Sequence, residues 1–106
     1  MTRSVVITGV GAVTPLGVGA RTLHERWSAG QSGIEDGFGR ASEFEPKEHL
    51  SVKEVRRSDR YTQFALAAAG EALEDAGWAD GAPYDPDRAA CVIGRASCRE
   101  RVLDHV

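Results

Sequence analysis

Residues 59 to 76 constrain this chain more than any other stretch. Tyr61, Phe64, Ala65, Leu66, Ala68, Ala69, Ala72, Leu73 and Ala76 place apolar groups around most of a helix, which Gly77 stops. A helix that is apolar on so many sides is stable when other elements cover it, so the spacing predicts a long buried helix. Most of its apolar positions are alanine, which has high helix propensity and lets a neighbouring backbone come close, as a leucine-rich face would not. Gly70 costs about 1 kcal/mol relative to alanine in a helix interior, and a tight contact there would account for it. Glu71, Glu74 and Asp75 share the segment and are expected to form its solvated stripe.

Two apolar runs flank this helix. Val5-Val6-Ile7 suits a strand at about residues 4 to 8, covered on both faces as in a parallel sheet. Ala89-Ala90-Cys91-Val92-Ile93 suits a second strand at about 89 to 93. The connection between them is long and apolar, so the expected fold is α/β, with the strands parallel and joined by a right-handed crossover. The stretch from Gly9 to Gly17 carries Pro15 and repeated glycine, which predicts a tight loop. Ala20, Leu23 and Trp27 share one face of a short amphipathic helix over about 20 to 29, ended by Gly30. From Gln31 to His49 the chain reads as a long ordered loop pinned by Phe38 and Phe44. Ser51-Val52-Lys53-Glu54 matches a capping box and predicts a further short helix. Asp80 to Arg88, with Gly81, Pro83 and Pro86, returns to loop.

Of the 106 residues, 42% are apolar and 27% charged, which allows one ordinary soluble domain at most. A net charge of -3 and an isoelectric point near 5.6 argue against a dedicated nucleic-acid binder. No apolar run approaches the roughly 20 residues of a membrane-spanning helix. Val5-Val6-Ile7 is also shorter than the core of a secretory signal, which leaves the cytoplasm as the expected location. Cys91 and Cys98 are too few for a disulfide framework and complete no zinc pattern. Cys91, inside an apolar run, is expected to be a small buried thiol.

Gly9-Val10-Gly11 after a strand invites a dinucleotide-binding reading. The third glycine of that pattern would fall on Thr14, and Pro15 interrupts the helix that should face the phosphates. His24 and His49 stand alone among charged residues and read as solvated. Lys53, Arg56 and Arg57 fall three and four residues apart, so on one helix they share a side. By themselves they fit either a solvated face or a site for a phosphate or an acidic partner.

The run from Val5 to Gly17 (VVITGVGAVTPLG) resembles the opening strand and loop of the β-ketoacyl-acyl carrier protein synthases. Three more segments agree with that family in order and spacing: Gly30 to Ile34, Lys53 to Ala69 and Ala72 to Gly77. Cys91-Val92-Ile93-Gly94 fits the start of the next strand. The likeness covers about residues 3 to 94 and is nearest the free-standing synthase II of fatty acid synthesis, with type II polyketide ketosynthases as near relatives. It implies a thiolase-like fold of two related halves, of which residues 1 to 94 form the N-terminal part of the first. It also implies a homodimeric acyltransferase that condenses an acyl thioester with malonyl-carrier protein by decarboxylation, without cofactor or metal. The family's cysteine, two histidines and lysine would lie beyond this chain, so neither Cys91 nor Cys98 is the expected acyl acceptor and the fragment itself is expected to be inactive. The resemblance assigns Lys53, Arg56 and Arg57 to docking of acyl carrier protein. A stand-alone binding module using the same basic face is the reading from a different class.

The family pattern stops at Gly94. Ile93 through Val102 is the translation of ATC GGA AGA GCG TCG TGT AGG GAA AGA GTG, which resembles a sequencing adapter. Residues 95 to 106 are therefore expected to be a non-native tail, and resequencing across the junction tests this.

Overall fold

The computed structural model describes residues 3–81 and 83–94. The expected non-native tail and Cys98 lie outside the described residues. The architecture is mixed α/β. In chain order it comprises β1 (Val13–Thr14), β2 (Gly17–Val18), α1 (Ala20–Ser28), β3 (Ile34–Glu35), β4 (Phe38–Gly39), α2 (Val52–Arg57) and α3 (Arg60–Asp75). Short 3-10 turns occupy Pro46–Glu48 and Pro86–Arg88.

The expected long helix forms as α3. Gly77 at φ 78° lets the amides of Gly77 and Trp78 reach back to the carbonyls of Glu74 and Leu73, at 3.0 and 2.8 Å, closing the helix with a Schellman turn. Gly30 closes α1 in the same way, with the amides of Gly30 and Gln31 donating to Trp27 and Arg26. The expectation that α3 is buried is corrected: within it only Gln63 and Ala67 are buried, while Tyr61, Leu66 and Leu73 stand exposed. One side alone of the helix is covered by described residues.

That side carries Ala68, Ala72 and Ala76, as their small size predicts, while Ala65 and Ala69 stand exposed. Gly9 and Gly11 lie against it so closely that a Cβ at Gly9 would sit 2.1 Å from the Ala72 carbonyl oxygen. At Gly11 a Cβ would come within 1.9 Å of that of Ala68. The close approach expected at Gly70 is absent, since nothing stands within 4 Å of a Cβ built there. The small residues that the contact needs are on the incoming loop.

Both expected strands are corrected. No strand forms at 4 to 8 or at 89 to 93, and no parallel pair joins them. Val5 is 92% exposed and Val92 equally so. An apolar run becomes a strand by bonding to a neighbouring strand, and among the described residues neither segment meets one. Among the described residues the ladders that form are two antiparallel hairpins. In the first, Val13 pairs with Val18 and Thr14 with Gly17 around Pro15-Leu16. The Leu16 amide donates to Thr14 Oγ1 at 3.2 Å, steadying the turn.

The second hairpin corrects the long loop expected from Gln31 to His49. Ile34 pairs with Gly39 and Glu35 with Phe38. Asp36 at φ 51° and Gly37 at φ 82° supply the two left-handed residues of a type I′ turn. Gly33 and Gly39 clasp Pro15: a Cβ on Gly33 would fall 2.6 Å from that of Pro15, so the second hairpin packs on the tip of the first. Phe38 does not pin this segment, because it is exposed. Phe44 does, at 5% exposure.

Phe44 is the hub of the small core. It meets Phe64 edge-on at 5.2 Å between ring centroids and stacks on His49 at 5.4 Å. The Arg60 guanidinium lies 5.2 Å from the Phe44 centroid and 5.0 Å from that of Phe64, while donating to the Ala41 carbonyl at 3.2 Å. Aromatic pairing and the attraction of a cation to ring faces thus tie the loop to the start of α3. Trp78 and Tyr84 form a separate edge-on pair at 5.2 Å beyond the helix end.

Candidate carrier-protein interface and comparison with known proteins

α2 presents the basic cluster. Ser51 Oγ accepts from the Glu54 amide at 3.2 Å and its hydroxyl donates to Glu54 Oε1 at 3.1 Å. The cap is thus made, although the glutamate meets the serine hydroxyl rather than its backbone amide. At the other end Gln63 Nε2, buried in α3, donates to the carbonyls of Val55 and Ser58 at 3.2 and 3.3 Å. These two bonds satisfy carbonyls at the end of a six-residue helix and fix α2 on α3.

Lys53, Arg56 and Arg57 are all exposed on this anchored helix. Among the described residues none of the three is in an ion pair. Arg56 and Arg57 occupy the last turn, where positive charge favours the helix C-terminus. Part of their presence is therefore explained by α2 itself, whereas Lys53 in the first turn gains nothing from the dipole. The three charges stand exposed on one short helix that Gln63 ties to α3.

Other candidates divide as follows. The amides of Val10 and Ala12, which a dinucleotide loop would turn toward phosphate, are taken by Asp75 Oδ2 at 3.0 Å and Glu71 Oε1 at 2.9 Å. Carboxylates at those positions would repel a phosphate. Glu74 and Asp75 are exposed, as expected of a solvated stripe, whereas Glu71 is half-buried and departs from it. The spacing of four residues between Glu71 and Asp75, the same as that of the alanines facing the glycine loop, was the available signal for these two bonds. His24 is exposed and alone, while His49 is exposed but stacked on Phe44. Cys91 is corrected from a buried to an exposed thiol, because the strand meant to bury it does not form.

An open cleft of about 500 Å³ runs between the hairpins and α1, with Arg26, Arg40, Glu35 and Asp36 on its walls. Arg26 donates to the Leu16 carbonyl at 2.5 Å and pairs with Glu43. The hydrogen bond to Glu43, and then its charge, push the guanidinium above its ordinary range. Charges of both signs line this cleft, and Arg26 is committed to Leu16 and Glu43. Among the described residues no cluster of three His, Cys, Asp or Glu side chains could hold a metal. No described helix is long and apolar enough to cross a membrane.

No family model matches the chain. Individual relatives do. It is 36% identical to a polyketide β-ketoacyl synthase 1 of Streptomyces halstedii, with 99% of this chain and 28% of the relative aligned. With the granaticin polyketide β-ketoacyl synthase 1 of Streptomyces violaceoruber, identity is 40% at the same coverage. With the 3-oxoacyl-acyl-carrier-protein synthase 2 of Staphylococcus aureus strain COL, identity is 37% over 86 residues, covering 70% of this chain and 21% of the relative. The chain thus spans a little over a quarter of the length of the polyketide relatives. Over that stretch it is homologous to the β-ketoacyl synthases.

Proposed function

We propose that this chain is the N-terminal part of a 3-oxoacyl-acyl-carrier-protein synthase, within a thiolase-like fold. The enzyme would be a cytoplasmic, homodimeric acyltransferase of fatty acid biosynthesis, working without a cofactor. It would condense an acyl thioester with malonyl-carrier protein, losing carbon dioxide and forming the new carbon–carbon bond. The single observation that carries the reading is identity to β-ketoacyl synthases along nearly the whole chain. The acylated cysteine, the two histidines and the lysine of such an enzyme are proposed to lie in sequence outside this stretch, leaving residues 1 to 94 as scaffold and docking face. Residues 95 to 106 are proposed to be foreign to the protein; the alignments to the polyketide relatives run through them, and resequencing across the junction decides between the two.

Lys53, Arg56 and Arg57 are the proposed contacts for acyl carrier protein. Charges at the rim of such an interface act mainly on encounter rate and lose strength with salt. The test is carrier-protein affinity and association rate of the full-length enzyme with alanine at all three positions. Slower association at low salt, with the difference shrinking at moderate salt, is expected. Unchanged values at both salt levels would remove the docking assignment.

Polyketide synthesis is the second reading, favoured by the fuller coverage of this chain by the polyketide relatives than by the fatty acid synthase, 99% against 70%. Supplying the full-length enzyme with carrier proteins of each pathway separates the two. Preferential condensation on the fatty acid carrier supports the first, and preference for the polyketide carrier the second.

A further inference from the structure

The N-terminus of α1 has no cap of its own. Its N-cap residue is Gly19, no side chain accepts from the first turn locally, and no acidic residue stands in that turn. Gly19 sits at φ 106°, a conformation that L side chains rarely adopt, so serine, threonine, aspartate or asparagine could not cap from this position without strain. The missing acceptor comes from α3: Glu71 Oε2 accepts from the Ala20 amide at 2.9 Å. The other oxygen of the same carboxylate accepts from Ala12, also at 2.9 Å. Ala12 and Ala20 meet there because the first hairpin closes beneath them, with the Gly19 amide donating to the Ala12 carbonyl at 2.8 Å. Glu71 is half-buried, which strengthens both bonds relative to a solvated carboxylate.

We infer that Glu71 makes α1 conditional on the seating of the glycine loop against α3, so that the hairpin root and the helix order and open as one unit. A single carboxylate holds the root of one element and the start of the next. Loss of the loop's seat on Ala68 and Ala72 would move Ala12, and with it the acceptor geometry that caps α1. Glycine at 19, which the hairpin exit requires, is what makes the distant cap necessary.

Hydrogen exchange read by mass spectrometry tests this in the full-length synthase proposed above. That reading supplies only the material, and condensation by the unsubstituted protein checks it separately. In Glu71→Ala, peptides covering residues 12 to 19 and 20 to 28 should exchange about tenfold faster or more, and by the same factor, as expected on losing charge-assisted bonds. Glu74→Ala, at an exposed neighbour on the same helix, should change neither peptide. Glu71→Gln keeps one acceptor oxygen and places a donor where the other stood, so a smaller but still matched acceleration is expected. Acceleration of one peptide without the other, or of neither, in the glutamine variant would overturn the inference. If alanine also strips protection from α3, the glutamine variant alone decides.

Discussion

Gly11 is packed against α3 and Gly70 lies within it with open space beside it, so a methyl group has opposite consequences at the two positions. At Gly11 it would lie 1.9 Å from a helix carbonyl oxygen whose position is held by the helix itself. The loop must then lift, and Ala12 is drawn away from Glu71. Gly11→Ala should destabilise by about 1–3 kcal/mol, the usual range for overpacking. At Gly70 a methyl group meets nothing within 4 Å, and the helix backbone loses the excess freedom of glycine. Gly70→Ala should stabilise by about 0.5–1 kcal/mol. Urea midpoints of the full-length synthase carrying each substitution, beside the unsubstituted synthase, check the opposite signs, and shifts in one direction for both would contradict this packing. The sequence pointed to a close approach along the alanines but not to its partner. A glycine inside a helix marks a potential contact, whereas contact also needs a second backbone at that height.

At the scale of elements, legibility followed the range of the forces involved. The helices were readable because caps and stops are local: Ser51 with Glu54, Gly30 and Gly77 each act within a turn of their own position. Asp36-Gly37 is just as local, and with Ile34 and Phe38 beside it signals the hairpin that a loop reading passed over. The composition of the two apolar runs points to strands, yet strand formation rests on a partner that composition does not locate. Of the candidate site, the shared side of Lys53, Arg56 and Arg57 was readable from spacing. Its anchoring was not, because Gln63 looks like any polar helix residue until its amide is seen on the carbonyls of Val55 and Ser58. Docking strength should therefore depend on α2 as an element as well as on its charges. Ser51→Ala removes the cap at about 1 kcal/mol of helix stability while leaving every basic group in place. Carrier-protein association of the full-length enzyme should weaken measurably with Ser51→Ala, less than with the triple alanine variant, and an unaltered affinity would show that helical order in α2 does not matter for docking.

For the whole molecule, the balance of covered and open apolar surface decides what the 106-residue chain does by itself. Among the described residues only Phe44 and Ala67 are buried apolar side chains, whereas Val5, Val6, Ile7, Tyr61, Val92 and Ile93 stand open to water. Ordering each backbone residue costs on the order of 1–2 kcal/mol, and a core this small does not offset that over the length of the chain. Helices with good local caps survive such a deficit better than tertiary packing does, so the chain alone should keep a helical far-ultraviolet signal, bind a hydrophobic dye and melt without a cooperative transition. Among the described residues its open apolar runs also carry backbone donors and acceptors without a strand partner, which favours association that grows with concentration. Circular dichroism, dye binding and light scattering on the purified chain measure these together. A monomer with a cooperative melt and no dye binding would mean that the aromatic hub at Phe44 and the seating of the glycine loop suffice to hold the fold. The same sequence within a full-length synthase should lose the dye binding, since the faces that open here would then be covered by the remainder of the polypeptide.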